Sequence, residues 1–428
     1  MNRKKFWITI SLANLSIVAI LGFTLRSKIL FPLPFINHQY LVDAHSHFAF
    51  GGFITLALFN LLTHTLLPPL YQQRKWYQWM MWGVTIASFG MLFSFPFTGY
   101  ATVSIIFSTL LIFFTYGYGA CLIKDILKLN YSHPAYMLAL GAMVYLIISS
   151  AGPFTLAYIK ASGSANSILY KDAIYFYLHL QYNGFFTLSV FALLIFAAYP
   201  TGNGVQAPGY VKWFAGLLNA SIIPSLFLSL LYHANNPVVR TISILGVVLI
   251  IGCLICFFLA GKTFPVSRVY TSPLAKGILF LAMASFVIKS ILQTGTVFPG
   301  LGNAVFGLRP IIIGFLHLVF LGQVAFYILS NYIGAGAFNT KNRFVRLSIQ
   351  FFAAAVIIQE LILLVQGIGL LLGNYNPVYV WLLWGISICL AMGAVMMFVA
   401  RLKSRKTNPD GAVGVHGYVM YNRLLNGS

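Results

Sequence analysis

Apolar residues run through this chain in long blocks, and short polar or proline-containing segments separate them. Each block holds about 20 residues, enough for an α-helix to cross the hydrocarbon core of a bilayer. The pattern predicts an all-α, polytopic membrane protein with twelve transmembrane helices. The predicted spans are 7–25, 45–68, 76–97, 100–123, 134–155, 174–198, 210–232, 238–260, 273–295, 309–331, 346–371 and 378–400.

Charge supports the membrane class and sets the orientation. Charged residues are only 7% of the chain, whereas soluble proteins carry about a quarter. With the N-terminus inside, 19 of the 26 Lys and Arg residues fall on the cytoplasmic side and six on the outer side, with Lys289 inside a span. The positive-inside rule then places both termini in the cytoplasm. The net charge of +21 therefore reflects topology, and no nucleic-acid partner is expected.

The domain organisation follows from the same pattern. Residues 1–400 are expected to form one twelve-helix transmembrane domain, and residues 401–428 a short basic cytoplasmic tail. The expected location is a bacterial inner (plasma) membrane, with the lipid bilayer as the main partner. The sequence shows no evident internal repeat, which counts against a secondary transporter without excluding one.

Histidines concentrate at one depth of the predicted bundle. His45 and His47 lie on span 2, His179 on span 6, His233 on span 7 and His317 on span 10. At 1.5 Å per residue, His179 lies about 8 Å and His317 about 12 Å below the outer boundary, with the others nearer to it. A single intramembrane histidine often only bonds a neighbouring helix. Shared depth on four helices indicates a metal or haem site.

The stretch "HSHFAFGGF" raises a geometric question. His45 and His47 are about 200° apart on an ideal helix, so both face one pocket only if the helix begins irregularly. Otherwise one is a ligand, and the other bonds a haem carboxylate or pairs with Asp43. Gly51 and Gly52 either admit a flat macrocycle or serve ordinary helix packing.

These segments carry a family resemblance. "HSHFAFGGF", "YLHLQYNGFF" and "FLHLVFLGQ" resemble helices 2, 6 and 10 of the core subunit of haem-copper oxidases, a superfamily that includes nitric oxide reductases; NnrS-like proteins are further candidate relatives. The resemblance implies a haem held by His45 or His47 together with His317. It also implies a second metal, copper, held by His179 with His233.

The chain departs from the family pattern at three places. Val319 stands where helix 10 of the family has a second histidine, and His233 has no adjacent histidine partner. Asn183 stands four residues after His179, where many members have tyrosine. A complete oxygen-reducing centre with two metals is therefore not expected.

A few other polar residues lie in the apolar spans. Lys289 either extends its amine to the outer surface or meets an anion such as a haem propionate. Arg309 stands two turns above His317, as a propionate partner should. Glu360 has either a proton-transfer or metal-associated role or a neutral interhelical hydrogen bond. Asn183 and Gln293 are further buried polar candidates.

Three functional hypotheses remain open from the sequence. The first is a protein that binds haem, with or without copper, and works in respiratory electron transfer or nitric oxide handling. It would have an electron donor and partner subunits, and whether it is an oxidoreductase is left open. The second is a transporter or channel that uses the intramembrane histidines and Glu360. The third is a haem-free scaffold.

Overall fold

The fold is a bundle of twelve long helices. A computed structural model describes residues 3–129, 132–201, 206–234 and 236–407. Twelve of the helices in these ranges are long and apolar enough to cross a membrane, as predicted. They are α1 (Arg3–Leu30), α2 (His38–Leu66), α3 (Lys75–Thr98), α4 (Thr102–Ile126), α5 (Pro134–Ala161), α6 (Ser167–Ala198), α7 (Gly209–Leu230), α8 (Pro237–Thr263), α9 (Pro273–Gly295), α10 (Arg309–Gly334), α11 (Arg343–Leu371) and α12 (Val378–Thr407).

Local sequence explains where several of these helices begin. Asn37, Asn166 and Asn236 each accept a backbone hydrogen bond at the start of α2, α6 and α8. Such caps satisfy amide groups that lack a partner in the first turn. The cap at Asn37 starts α2 seven residues before the predicted span. His45 and His47 therefore lie in regular α-helix and point in different directions.

The last helix extends past the predicted end of the membrane domain at residue 400. It continues to Thr407 because Arg401 is buried and donates hydrogen bonds to the carbonyls of Ala337 and Lys5 and to the Thr9 hydroxyl. The first part of the predicted tail is therefore helical. Residues 408–428 lie outside the described part of the chain.

The twelve helices form three units of four, α1–α4, α5–α8 and α9–α12. In each unit the third and fourth helices pack closely along their length. A glycine supports each of these pairs: a Cβ on Gly83 would overlap Phe114, one on Gly246 would overlap the α7 backbone, and one on Gly393 would contact Phe352. The sequence analysis did not detect this repeat.

The second helix of each unit contains a π-helical segment of eight residues. Each segment begins directly after a histidine and has glycine at its fifth position, and π-helices are rare and often mark functional sites. The segments are Phe48–Thr55 after His47, Leu180–Thr187 after His179, and Leu318–Ala325 after His317, with Gly52, Gly184 and Gly322 at the fifth positions.

Three aromatic rings join the π-helical segments at the centre of the bundle. Phe50, Phe186 and Phe320 contact one another in pairs, with ring centroids 4.7 to 5.9 Å apart and steep interplanar angles. Edge-to-face packing is the favoured geometry of such pairs. The rings fix the distances between α2, α6 and α10. The end of the bundle at which these three helices begin is called the histidine end below.

Candidate functional site

Two separate polar clusters lie towards the histidine end. The α2–α10 cluster contains His45, His317 and Arg26. The α6–α9 cluster contains His179, Asn183 and Lys289. The shared depth of the histidines predicts a single site, whereas in the structure they belong to two clusters on different pairs of helices.

In the α2–α10 cluster, the imidazoles of His45 and His317 lie within range of electrostatic interaction with each other. His317 donates its Nδ1 proton to the carbonyl of Ile313, at 2.8 Å, because a carbonyl can only accept. That tautomer leaves Nε2 of His317 with its lone pair. Nδ1 of His45 is buried and has no hydrogen-bond partner in the described ranges. Both rings therefore keep a nitrogen that an internal partner does not use.

Helix α1 shapes the surroundings of these imidazoles. A Cβ on Gly22 would lie 3.3 Å from Cε1 of His45, so glycine leaves space beside the ring. Arg26, one turn further along α1, is close enough to interact with both histidines. Arg309 on α10 is close to Arg26. Arg26 was not among the predicted site residues. It is one of only six basic residues on the predicted outer side, and a basic residue on that side is unusual enough to indicate a role.

His47 belongs to a different part of the molecule. Its Nε2 shares a hydrogen bond of 2.7 Å with the Tyr100 hydroxyl, and its ring stacks on Phe95 at 4.8 Å. Asp43 accepts a hydrogen bond from Gln39 and does not pair with either histidine of "HSH". The alternative in which the second histidine pairs with Asp43 is therefore wrong.

The glycines of "HSHFAFGGF" serve packing between helices. A Cβ on Gly51 would lie 2.7 Å from the Ser88 hydroxyl of α3, and the Gly52 carbonyl accepts a hydrogen bond from Asn14 of α1. Gly51 also lines a cavity of about 40 Å³, whose described lining does not include His45 or His317. Of the two alternatives in the sequence analysis, helix packing fits the structure.

The α6–α9 cluster is a directed chain of hydrogen bonds. The Lys289 ammonium donates to the amide oxygen of Asn183, and the Asn183 amide nitrogen donates to Nδ1 of His179, at 3.2 Å. Nε2 of His179 then donates to the carbonyl of Ile222 on α7, at 2.8 Å. All three side chains are nearly fully buried. Both imidazole nitrogens are used inside the protein.

A small cavity of about 20 Å³ adjoins this chain. Its lining includes polar side chains from three helices, and Cys253 of the C-x-x-C contributes from a fourth. Gln293, a predicted buried polar residue, lines the same cavity and is 7% exposed. The polar residues of the lining are Asn183, Ser221, Ser225, Lys289, Ser290 and Gln293.

The structure does not bring His233 to His179. His233 lies at the end of α7, where its Nε2 donates to the carboxylate of Asp172 at 2.9 Å, and Tyr232 donates to the same oxygen. Asp172 is seven residues before His179 on α6, about 10 Å along the helix. The predicted pair of metal ligands is therefore not formed.

Glu360 lies beside the α2–α10 cluster without joining it. Gly314 of α10 packs against Leu363 of α11, and these helices are antiparallel, so Glu360 lies at the level of His317. Its Oε1 is buried and has no hydrogen-bond partner within the described residues. The predicted interhelical hydrogen bond is not formed by this atom.

Comparison with known proteins gives a likeness of fold. No family profile matches the chain, and no curated protein matches it. A solved cryo-EM structure of a haem-copper terminal oxidase dimer is similar, with a TM-score of 0.69 and 13% identity over 94% of this chain and 84% of that chain. At this identity the likeness establishes the fold alone. The chain is thus an integral membrane bundle with the fold of a haem-copper oxidase.

A copper centre does not fit the residues present. No group of three or more His, Cys, Asp or Glu side chains able to hold a metal occurs in the ranges that the structure describes. The histidine that the resemblance assigns to copper, His179, has both nitrogens hydrogen-bonded. A lysine ammonium also stands beside it, which opposes binding of a cation.

Proposed function

We propose that this protein is a haem-binding integral membrane protein that works in electron transfer or nitric oxide handling. The observation that carries the proposal is that His45 and His317, on two different helices, lie within range of electrostatic interaction, each with a nitrogen that no described residue hydrogen-bonds. A histidine that ligates a metal commonly donates its other N–H to a backbone carbonyl, as His317 does to Ile313.

The surroundings of the two imidazoles support haem over a bare metal ion. His45 and His317 would hold the haem iron, since histidine is a common protein ligand of haem iron. Arg26 and Arg309 supply positive charge on the same side, and arginine is well suited to bind carboxylates such as propionates. Gly22 leaves room beside His45.

A bound haem would supply one-electron chemistry at this site. The protein residues would hold it, orient it and exclude water, because the π-helical segments and the central rings keep α2 and α10 at a fixed separation. We place no second metal at His179. This disfavours a complete oxygen-reducing centre and favours electron transfer, nitric oxide handling or sensing.

We also propose a bacterial inner-membrane location with cytoplasmic termini, supported by the asymmetry of basic residues. An electron donor and partner subunits would complete the function. The structure contributes the twelve apolar helices, and the sequence alone supports the location, the orientation and the partners.

The test is the visible spectrum of the purified protein and of three variants. We expect a Soret band with reduced α and β bands in the unmodified chain, and its loss in His45→Ala and His317→Ala. His47→Ala is the matched control, because it changes the same helix two residues away but faces Tyr100 and Phe95. It should retain the spectrum.

Two results would contradict the proposal. A colourless protein, expressed in cells that supply haem, would remove it and leave the transporter or scaffold alternatives. Loss of the spectrum in His47→Ala with retention in His45→Ala would move the ligand to the other histidine of "HSH". Membrane insertion of every variant should be checked by its yield and its elution as a single species.

A further inference from the structure

The α6–α9 cluster contains a buried cation without an opposing charge. Lys289 is 3% exposed and lies within a membrane span. Its ammonium contacts a neutral amide oxygen on Asn183 and lies 5.7 and 5.9 Å from the ring centroids of Phe286 and Tyr182. Amide and aromatic contacts stabilise an ammonium only in part. Buried charges in proteins are normally paired.

Asn183 and His179 cannot supply the missing negative charge. The Asn183 amide is neutral, and the direction of the hydrogen bonds fixes His179 as a neutral ring with its proton on Nε2. No acidic residue appears among the described residues that line the adjoining cavity. An anion that enters the cavity would supply this charge and stabilise Lys289 in its charged form.

The cavity has the size and donors for one small ion. Its volume of about 20 Å³ slightly exceeds the 10–15 Å³, roughly, that a single water needs. Gln293 lines it, is more than nine-tenths buried, and makes no side-chain hydrogen bond with the described residues. Its amide nitrogen and the remaining protons of Lys289 can donate to a shared ligand.

We propose that this cavity binds a small monovalent anion of halide size, held by the Lys289 ammonium and the Gln293 amide. The small volume favours such an anion over a larger one such as sulfate. The proposal is independent of haem binding, because the α6–α9 cluster and the cavity beside it share no residue with the α2–α10 cluster. The anion would then lie beside Lys289 in the α6–α9 cluster, the cluster that contains His179, to which the family resemblance assigns copper.

The experiment measures thermal unfolding of the full-length protein in detergent while chloride replaces gluconate at constant ionic strength. We expect a rise in Tm that saturates as for a single site. Sodium sulfate should not reproduce it. Bromide should replace chloride, and an anomalous-scattering peak beside Lys289 in bromide-containing crystals should locate the site.

Variants separate this site from general salt effects. Lys289→Met should lose the chloride-dependent rise, whereas Lys276→Met, a lysine near the start of the same helix, should keep it. Gln293→Leu should raise the half-saturating chloride concentration by roughly tenfold or more, since a hydrogen bond to a charged group is lost. It also provides a test if Lys289→Met does not fold.

Asn183→Asp provides the sharpest comparison. It places a carboxylate against the Lys289 ammonium and thereby supplies the counter-charge from within the protein. We expect this variant to fold and to lose its dependence on chloride. A Tm of the unmodified protein that is the same in chloride and gluconate would overturn the proposal, and so would an unchanged chloride response in Lys289→Met or a bromide peak only at other positions.

Discussion

The ion pair of Arg74 with Asp125 should respond unequally to loss of its two members. Asp125 ends α4, is 1% exposed, and accepts hydrogen bonds from Arg74 and from the Tyr77 hydroxyl, the latter at 2.9 Å. Arg74 is 37% exposed. When Asp125 is removed, Arg74 can turn to water. When Arg74 is removed, the carboxylate stays buried with one partner.

The expected magnitudes follow from that difference in exposure. Arg74→Met should lower the free energy of unfolding by about 3–5 kcal/mol, the cost of leaving an uncompensated buried charge. Asp125→Asn should cost only about 1 kcal/mol, because the amide oxygen still accepts from Tyr77 and no buried charge remains. The double variant should be more stable than Arg74→Met alone, because it contains no unpaired carboxylate.

Reversible unfolding in mixed micelles, followed by tryptophan fluorescence, measures these differences. Lys75→Met is the control; this neighbouring lysine is exposed, and its replacement should change stability by less than about 0.5 kcal/mol. Equal costs for Arg74→Met and Asp125→Asn, or a double variant less stable than Arg74→Met, would refute the reasoning from burial.

Two further predictions concern α6 and α11. A Cβ on Gly184 would lie 2.5 Å from Cβ of Tyr145, so Gly184→Ala should lower the free energy of unfolding by about 1–3 kcal/mol in the same assay. Gly216→Ala is the control. Its added Cβ has no atom within 4 Å, so this variant should be neutral or slightly stabilising. Because Oε1 of Glu360 has no hydrogen-bond partner among the described residues, Glu360→Gln and Glu360→Leu should both fold. The leucine variant should melt at a higher temperature, by a shift that corresponds to about 1–3 kcal/mol. If only the glutamine variant folded, Glu360 would belong to a polar network that its unpartnered oxygen does not reveal.

The number of spans could be predicted because it depends on position along the chain; the depth of the histidines rests on the same kind of argument and stays a prediction. Apolar length sets how often the chain crosses the bilayer, and the rise per residue sets depth. These arguments are insensitive to errors of several residues at helix ends. The late end of α12 and the early start of α2 therefore did not change the number of spans.

The direction in which each side chain points could not be predicted in the same way. Whether His45 or His47 faces α10 depends on angular position, and one residue changes that angle by about 100°. The pairing of His233 with Asp172, and of Lys289 with Asn183, depends on which helices are neighbours. Nothing in the local sequence of either partner specifies that arrangement.

One signal in the sequence was available and went unused. His47, His179 and His317 are each followed at the fifth position by glycine, at intervals of 132 and 138 residues. This spacing, with four spans per interval, was sufficient to predict three related units. A glycine five residues after a histidine carries little information in one segment and becomes informative only when the three segments are compared.

The π-helical segments determine the angular position of each histidine relative to the rest of its helix. A wider turn accommodates one residue more than an α-helical turn, so the half of α2 that carries His45 is rotated relative to the half that packs inside the bundle. Removal of one residue from Phe48–Thr55 would restore α-helical geometry and turn that half by about 100°. His45 would then leave α10, while the composition and hydropathy of the span would hardly change. The direction in which His45 points therefore depends on the number of residues in the π-helical segment as strictly as the site depends on the histidine itself.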